Sequence, residues 1–218
     1  NAKGYKTIIV MPETQTQEKI ETLKTMGANV KLVPAKPYKD PDNYVKISGR
    51  LAEELSKTTN AGVLWANQFD NISNWKGHYE TTGQEIWNQT EGNVDGFVCS
   101  SGTGGTIAGV SQALKEKNNN IKIVLADPGG SALFNYIKTN KLIADGSSIT
   151  EGIGSSRITT NFSKAIIDDS YSIQDTEALN ILFDLMEYEG LFLGTSSGIN
   201  IVGAIKLAKE LGKGNNID

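Results

Sequence analysis

GFVCSSGTGGTIAGVSQALKEKN, residues 96–118, puts three signals into one run. GFVC reads as a short buried strand, SSGTGG as a tight turn, and TIAGVSQALKEKN as an amphipathic helix. A strand that passes through a glycine loop into a helix is the opening half of a βαβ unit. The helix start aims several unpaired backbone amides and a positive dipole end at one spot, which suits an anion. Glycines at 102, 104 and 105 let the main chain come close, and Thr103 and Thr106 add hydroxyls. No lysine or arginine lies in the loop, so dipoles would do the holding. The triphosphate pattern G-x-x-x-x-G-K-[ST] is absent, and Ile107 stands where a dinucleotide loop needs its third glycine. A single phosphate monoester is the natural ligand. A turn that merely packs a helix tightly on a sheet is the alternative.

Outward from this loop, strand and helix signals alternate. YKTIIVMP, NVKLVP, GVLWANQF, IKIVLADP and the short LFLG read as strands. TQTQEKIETLKTMGA, NYVKISGRLAEELSKTTN, HYETTGQEIWNQT, DTEALNILFDLMEYEG and INIVGAIKLAKELG read as helices. The pattern predicts an α/β protein with parallel sheets covered on both faces and ligands at the carboxyl ends of the strands. The polar stretch 70–77 is the expected break, giving a smaller α/β domain over 1–70 and a larger one over 71–218 that carries the loop.

The chain has 218 residues, a net charge of −4, 38% hydrophobic and 21% charged residues. That balance argues against nucleic acid or an anionic membrane surface as partner. No apolar run approaches the roughly 18 residues a spanning helix needs. Cys99 is the single cysteine, which excludes an internal disulfide and fits a reducing compartment. No metal site is expected. Cys99 itself reads as buried and inert.

A second glycine motif, GTSSG at 194–198, matches the G-x-S-x-G nucleophile elbow with Ser196 as nucleophile. That chemistry needs a histidine downstream, whereas the one histidine, His78, lies far upstream. Ser196 reads better as a polar group offered to a ligand at a strand end, and His78 as a cap or packing residue.

The two loops, together with HYETTGQEIW, MPETQTQEKIETLKTMGANVKLV, NQFDN, EGIG and EGLFLGTSSG, resemble the cysteine synthase and cystathionine β-synthase family. The likeness runs through nearly the whole chain. It implies the tryptophan-synthase-β-like fold of two open-sheet α/β domains, incomplete here, and pyridoxal 5'-phosphate as cofactor. It also implies roles by position. Gly102, Thr103, Gly104, Gly105 and Thr106 would cradle the cofactor phosphate, Ser196 would meet the pyridine nitrogen, and Gln68 and Gly152 would lie near an amino-acid substrate. A neutral hydroxyl at the pyridine nitrogen favours β-elimination and replacement over transamination.

The implied reaction is sulfide replacing the acetoxy group of O-acetylserine. Cystathionine β-synthase, cysteine desulfhydrase and serine dehydratase activities are the alternatives, as is a non-catalytic protein keeping the fold. The resemblance further implies a homodimer in an intracellular compartment, cytoplasmic or mitochondrial. The family's Schiff-base lysine falls in a segment ahead of this sequence. The chain is therefore expected to be the central part of a longer enzyme and to be inactive alone. Two departures stand out: Asn71-Ile72-Ser73-Asn74 replaces Asn-Pro-Ala-Asn, and Arg157 brings a charge to the expected site mouth.

Overall fold

A computed structural model describes residues 3–218. The chain divides into two compact units, Asn1–Asn67 and Gln68–Asp218. The division falls ahead of the expected break, and the polar stretch 70–77 runs instead into a helix of the second unit.

In the first unit, strand β1 (Ile8–Pro12) leads through helix α1 (Gln17–Thr25) to strand β2 (Asn29–Val33), and helix α2 (Tyr44–Thr58) follows. The strands pair in parallel, from Ile8 opposite Asn29 to Pro12 opposite Val33. Ile20 of α1 is buried, while Met26, just past the end of the helix, is 68% exposed. Asn43 caps α2, accepting from the Val45 amide at 3.0 Å and donating to the Lys36 carbonyl at 2.7 Å.

The second unit opens with helices α3 (Ser73–Glu80) and α4 (Thr82–Gln89). The sequence reads as one helix over 78–90. The structure breaks it at Thr81, whose backbone (φ −118°, ψ −78°) leaves the helical path. Then come β3 (Gly96–Cys99), α5 (Gly105–Lys117), β4 (Lys122–Pro128), α6 (Leu133–Thr139), β5 (Asp169–Ile173), α7 (Asp175–Glu189) and α8 (Thr195–Leu211). The sheet order is β3-β4-β5, all parallel. Ile217 adds a parallel bridge to Gly96.

Strand alternation divides the core of this unit. Phe97, Ile123 and Leu125 point into one cluster with Ile107, Val110 and Leu114 of α5. Their neighbours Val98, Val124 and Ala126 point into another with Ala178 of α7 and Ile199, Val202 and Leu207 of α8. Both faces of β4 are covered, as a parallel sheet requires. Glycines allow the closest approaches: a Cβ on Gly109 of α5 would run into the backbone of Trp75 and Tyr79 in α3.

Two expected strands are absent among the described residues. The apolar parts of 62–69 and 191–194 are irregular, and Leu64 is 89% and Phe192 90% exposed. Neither joins a strand ladder among the described residues, and without a ladder an apolar run is not a strand. Helix α6 and strand β5 were not read from the sequence. DSYSI is too polar to announce itself, yet β4 gives it a partner.

Candidate functional site

The glycine loop leaves the carboxyl end of β3 and becomes the first turn of α5. Its shape is set from outside. A Cβ on Gly102 would collide with the Gly152 carbonyl, and one on Gly105 with the Asn74 side chain. Gly104 sits at φ +85°, with Phe162 backbone atoms 2.6 Å from any added Cβ. The missing side chains thus serve close packing against three neighbouring segments. The Thr103 hydroxyl accepts from the Gly105 amide at 3.2 Å and from Asn74 Nδ2 at 3.1 Å. No acidic residue lies in the first turn of α5, and the amides of Thr106 and Ile107 have no acceptor among the described residues.

Ser196 sits in the first turn of α8, half-buried. Asn200, one turn on, ties it to the glycine loop. Asn200 Nδ2 donates to the Ser196 carbonyl at 2.8 Å and to Ser100 Oγ at 3.0 Å, while its Oδ1 accepts from the Ser100 amide at 2.7 Å. The starts of α5 and α8 therefore meet at the carboxyl end of β3. Parallel α/β sheets present ligands at such strand ends.

The segment 152–162 closes over the loop. The Gly154 amide donates to the Ser101 carbonyl at 2.8 Å, and Thr159 Oγ1 donates to the Thr103 carbonyl at 2.7 Å. Gly152, at φ +83°, lies against Gly102. The same segment grips residues 68–70. Asn161, fully buried, donates to the carbonyls of Gln68 at 3.0 Å and Phe69 at 2.8 Å and accepts from the Trp75 amide. Asn74 adds a second donor to the Gln68 carbonyl at 2.7 Å. Gln68 is thereby joined to the glycine loop through one polar network, and Gly152 by close packing against Gly102.

Arg157 was expected to bring a charge to the site mouth, and the structure gives that charge a partner. It forms a two-pronged pair with Asp70 (3.2 and 2.9 Å), and its guanidinium lies over the Phe69 ring at 5.6 Å. The guanidinium hydrogen bonds hold the Asp70 carboxyl below its ordinary pKa, against some desolvation, with help from the Thr160 amide.

His78 spends both ring nitrogens locally: Nδ1 is 2.9 Å from Thr82 Oγ1 and Nε2 is 3.3 Å from Thr106 Oγ1. It is neither a cap nor a partner for a serine nucleophile. Cys99 is desolvated, which pushes its thiol up to about 12, far from a reactive thiolate. Among the described residues no cluster of His, Cys, Asp or Glu could hold a metal, and no helix is long and apolar enough to cross a membrane.

Sequence reasoning gave no roles to Asn74, Asn161 and Asn200. Asn74 did carry a signal, as the last residue of the Asn-Pro-Ala-Asn position. The other two are polar residues in ordinary contexts, and only the fold makes them bridges.

Comparisons with known proteins agree along the length of the chain. Residues 1–217 match the family described as pyridoxal-phosphate dependent enzyme. Cysteine synthase 1 of Neurospora crassa is 47% identical over 99% of this chain and 57% of its own length. Cysteine synthase 1 of Emericella nidulans is 45% identical over 99% of the chain and 58% of its own length. The chain thus spans under three-fifths of these curated relatives. The crystal structure of an O-acetylserine dependent cystathionine beta-synthase from Helicobacter pylori matches with a TM-score of 0.82 and 32% identity, over 97% of this chain and 65% of that one.

Proposed function

This chain belongs to the pyridoxal-phosphate dependent enzyme family, and on that premise we propose that the protein carrying it is a cysteine synthase. It would exchange the acetoxy group of O-acetylserine for sulfide. The identities to two fungal cysteine synthases support the reaction. The observation that carries the site is the Asn200 bridge, which brings Ser196 and the glycine loop to one strand end.

The residues present fit the cofactor. Helix α5 offers amides at Thr106 and Ile107 with no acceptor and no acidic side chain in its first turn, so a phosphate dianion meets only favourable dipoles there. Gly102, Thr103, Gly104, Gly105 and Thr106 would form this seat, with the Thr106 hydroxyl steadied by His78. Ser196 would hydrogen-bond the pyridine nitrogen; being neutral, it leaves that nitrogen less protonated than a carboxylate would. When bound, pyridoxal phosphate supplies the electron sink for proton loss at Cα and departure of the β-substituent. Gln68 and Gly152 would face the amino-acid substrate, Gln68 from a backbone that the side-chain amides of half-buried Asn74 and buried Asn161 hold in place. The same reading makes the protein a homodimer in an intracellular compartment, cytoplasmic or mitochondrial.

A second reading, cystathionine β-synthase activity, draws on the Helicobacter pylori structure. Product analysis separates the two. The full-length protein supplied with O-acetylserine and sulfide should yield cysteine. Cystathionine formed from serine and homocysteine, with no cysteine in the first assay, would select the second reading. A colourless protein giving neither product would overturn both. Ser196→Asp should shift the visible cofactor absorbance and slow β-replacement by about 100-fold, as expected when a preorganised hydrogen bond is exchanged for the wrong charge.

A further inference from the structure

We infer that Arg157 is a positioning residue for Gln68, acting through its clasp on Asp70; the inference rests on the reaction proposed above. Residues 68–70 have few ways to stay in place on their own. They form a turn, and among the described residues the hydrogen bonds that hold them come from one neighbouring segment and from Asn74. Asn161 holds the carbonyls of Gln68 and Phe69. Arg157 covers the Phe69 ring and forks onto the Asp70 carboxylate, which also accepts from the Thr160 amide at 2.9 Å. Each of the three residues is therefore fastened to 157–161.

That segment is fastened in turn to the glycine loop, through Gly154 to Ser101 and Thr159 to Thr103. One strap thus fixes the distance between the backbone of Gln68, proposed to lie near the substrate, and the proposed phosphate seat. The Asn161 links are buried and neutral. The Arg157 fork is the charged, partly open end, with side-chain exposures of 21% and 25% for Arg157 and Asp70. A planar guanidinium reads two carboxylate oxygens at once and fixes orientation as well as distance, which lysine cannot do. Loosening it should let Gln68 wander while leaving the glycine loop and its anion seat intact. The charge of Arg157 is thereby used inside the protein and is not offered to substrate.

The test uses the full-length holoprotein with Asp70→Asn, Arg157→Gln and the double variant. Each single change should raise KM for O-acetylserine about tenfold with kcat altered less than about twofold, and the double should be no worse than the worse single. Cofactor absorbance should stay at the level of the unmodified protein. Unchanged KM in variants that keep their cofactor, or additive losses in the double, would overturn the inference. Arg157→Lys, which keeps the charge without the fork, should fall between Arg157→Gln and the parent in KM.

Hydrogen exchange on the unmodified holoprotein gives an answer that does not depend on any variant folding. Amides of 68–71 and 157–161 should open together, with one denaturant dependence; independent opening would contradict the clasp. If the unmodified protein does not turn over O-acetylserine, the proposed reaction falls, and this exchange measurement alone decides the clasp.

Discussion

Strand β4 has a paired strand on each edge and helices on each face, and Ile123, Val124, Leu125, Ala126 and Asp127 are all fully buried. Strands β1 and β2 pair with one another, and Ile8 (41%) and Leu32 (42%) stay exposed. Both regions read from sequence as the same apolar, β-branched kind of segment. The difference teaches that such a segment supplies only half of a strand: neighbours on its edges and faces supply the rest. The run 62–69 makes the point more sharply, since GVLW has the composition of a strand, no strand ladder to join among the described residues, and Leu64 almost fully in solvent.

The largest expected effect comes from emptying the covered strand. Leu125→Ala should cost about 4 kcal/mol by denaturant unfolding, because the buried site cannot collapse around the missing methyls. Leu64→Ala should stay within about 0.5 kcal/mol. Similar costs at both positions would break the comparison.

A glycine pair sharpens it at the next level. Gly104→Ala combines a left-handed backbone with Phe162 2.6 Å from the new Cβ. It should cost about 3 kcal/mol. Gly62 has a similar φ (+80°) but open space around it, so Gly62→Ala should cost only about 1 kcal/mol.

Burial also penalises charge. Asp127, at the end of β4, is pushed up to about 6 by desolvation, which outweighs the Phe134 amide donating to its Oδ2 at 2.7 Å. Its folded pKa thus lies above the unfolded one, so the native state binds the extra proton. Stability should therefore be greatest below about pH 4 as far as this group is concerned, fall as pH rises towards 6, and level off above, by at most about 3 kcal/mol. Asp127→Asn should remove that segment of the pH–stability curve. An unchanged curve would place the titration elsewhere. The smallest effect belongs to the solvent-exposed Lys57–Glu53 pair on α2: Lys57→Ala should change stability by no more than about 0.5 kcal/mol.

Much of this was legible in advance, for reasons that differ by residue. The βαβ grammar around 96–118 is local, so the strand, loop and helix were readable from spacing alone. The closeness of Ser196 to that loop was implied only by resemblance to a family, since no periodicity joins residues so far apart. The Thr81 break was missed because HYETTGQEIW has continuous helical composition, and the turn is imposed by the packing of α3 and α4 on α5. Arg157 was noticed as an unusual charge near the site mouth, with no partner assigned. Its partner, Asp70, is distant in sequence, and a salt bridge across that distance leaves no mark in either segment. Asn161 and Asn200 were invisible for the same reason: an asparagine that bridges two segments looks like any other until the fold gives it partners.

The central claim is that one strand end seats a phosphate on the opening amides of α5 and a pyridine nitrogen at Ser196. A crystal structure of the full-length protein with pyridoxal phosphate tests it most directly. The account predicts phosphate oxygens about 3 Å from amides within residues 102–107 and the ring nitrogen at similar reach of Ser196 Oγ. A cofactor found with its phosphate elsewhere, or its nitrogen paired with a different side chain, would contradict it.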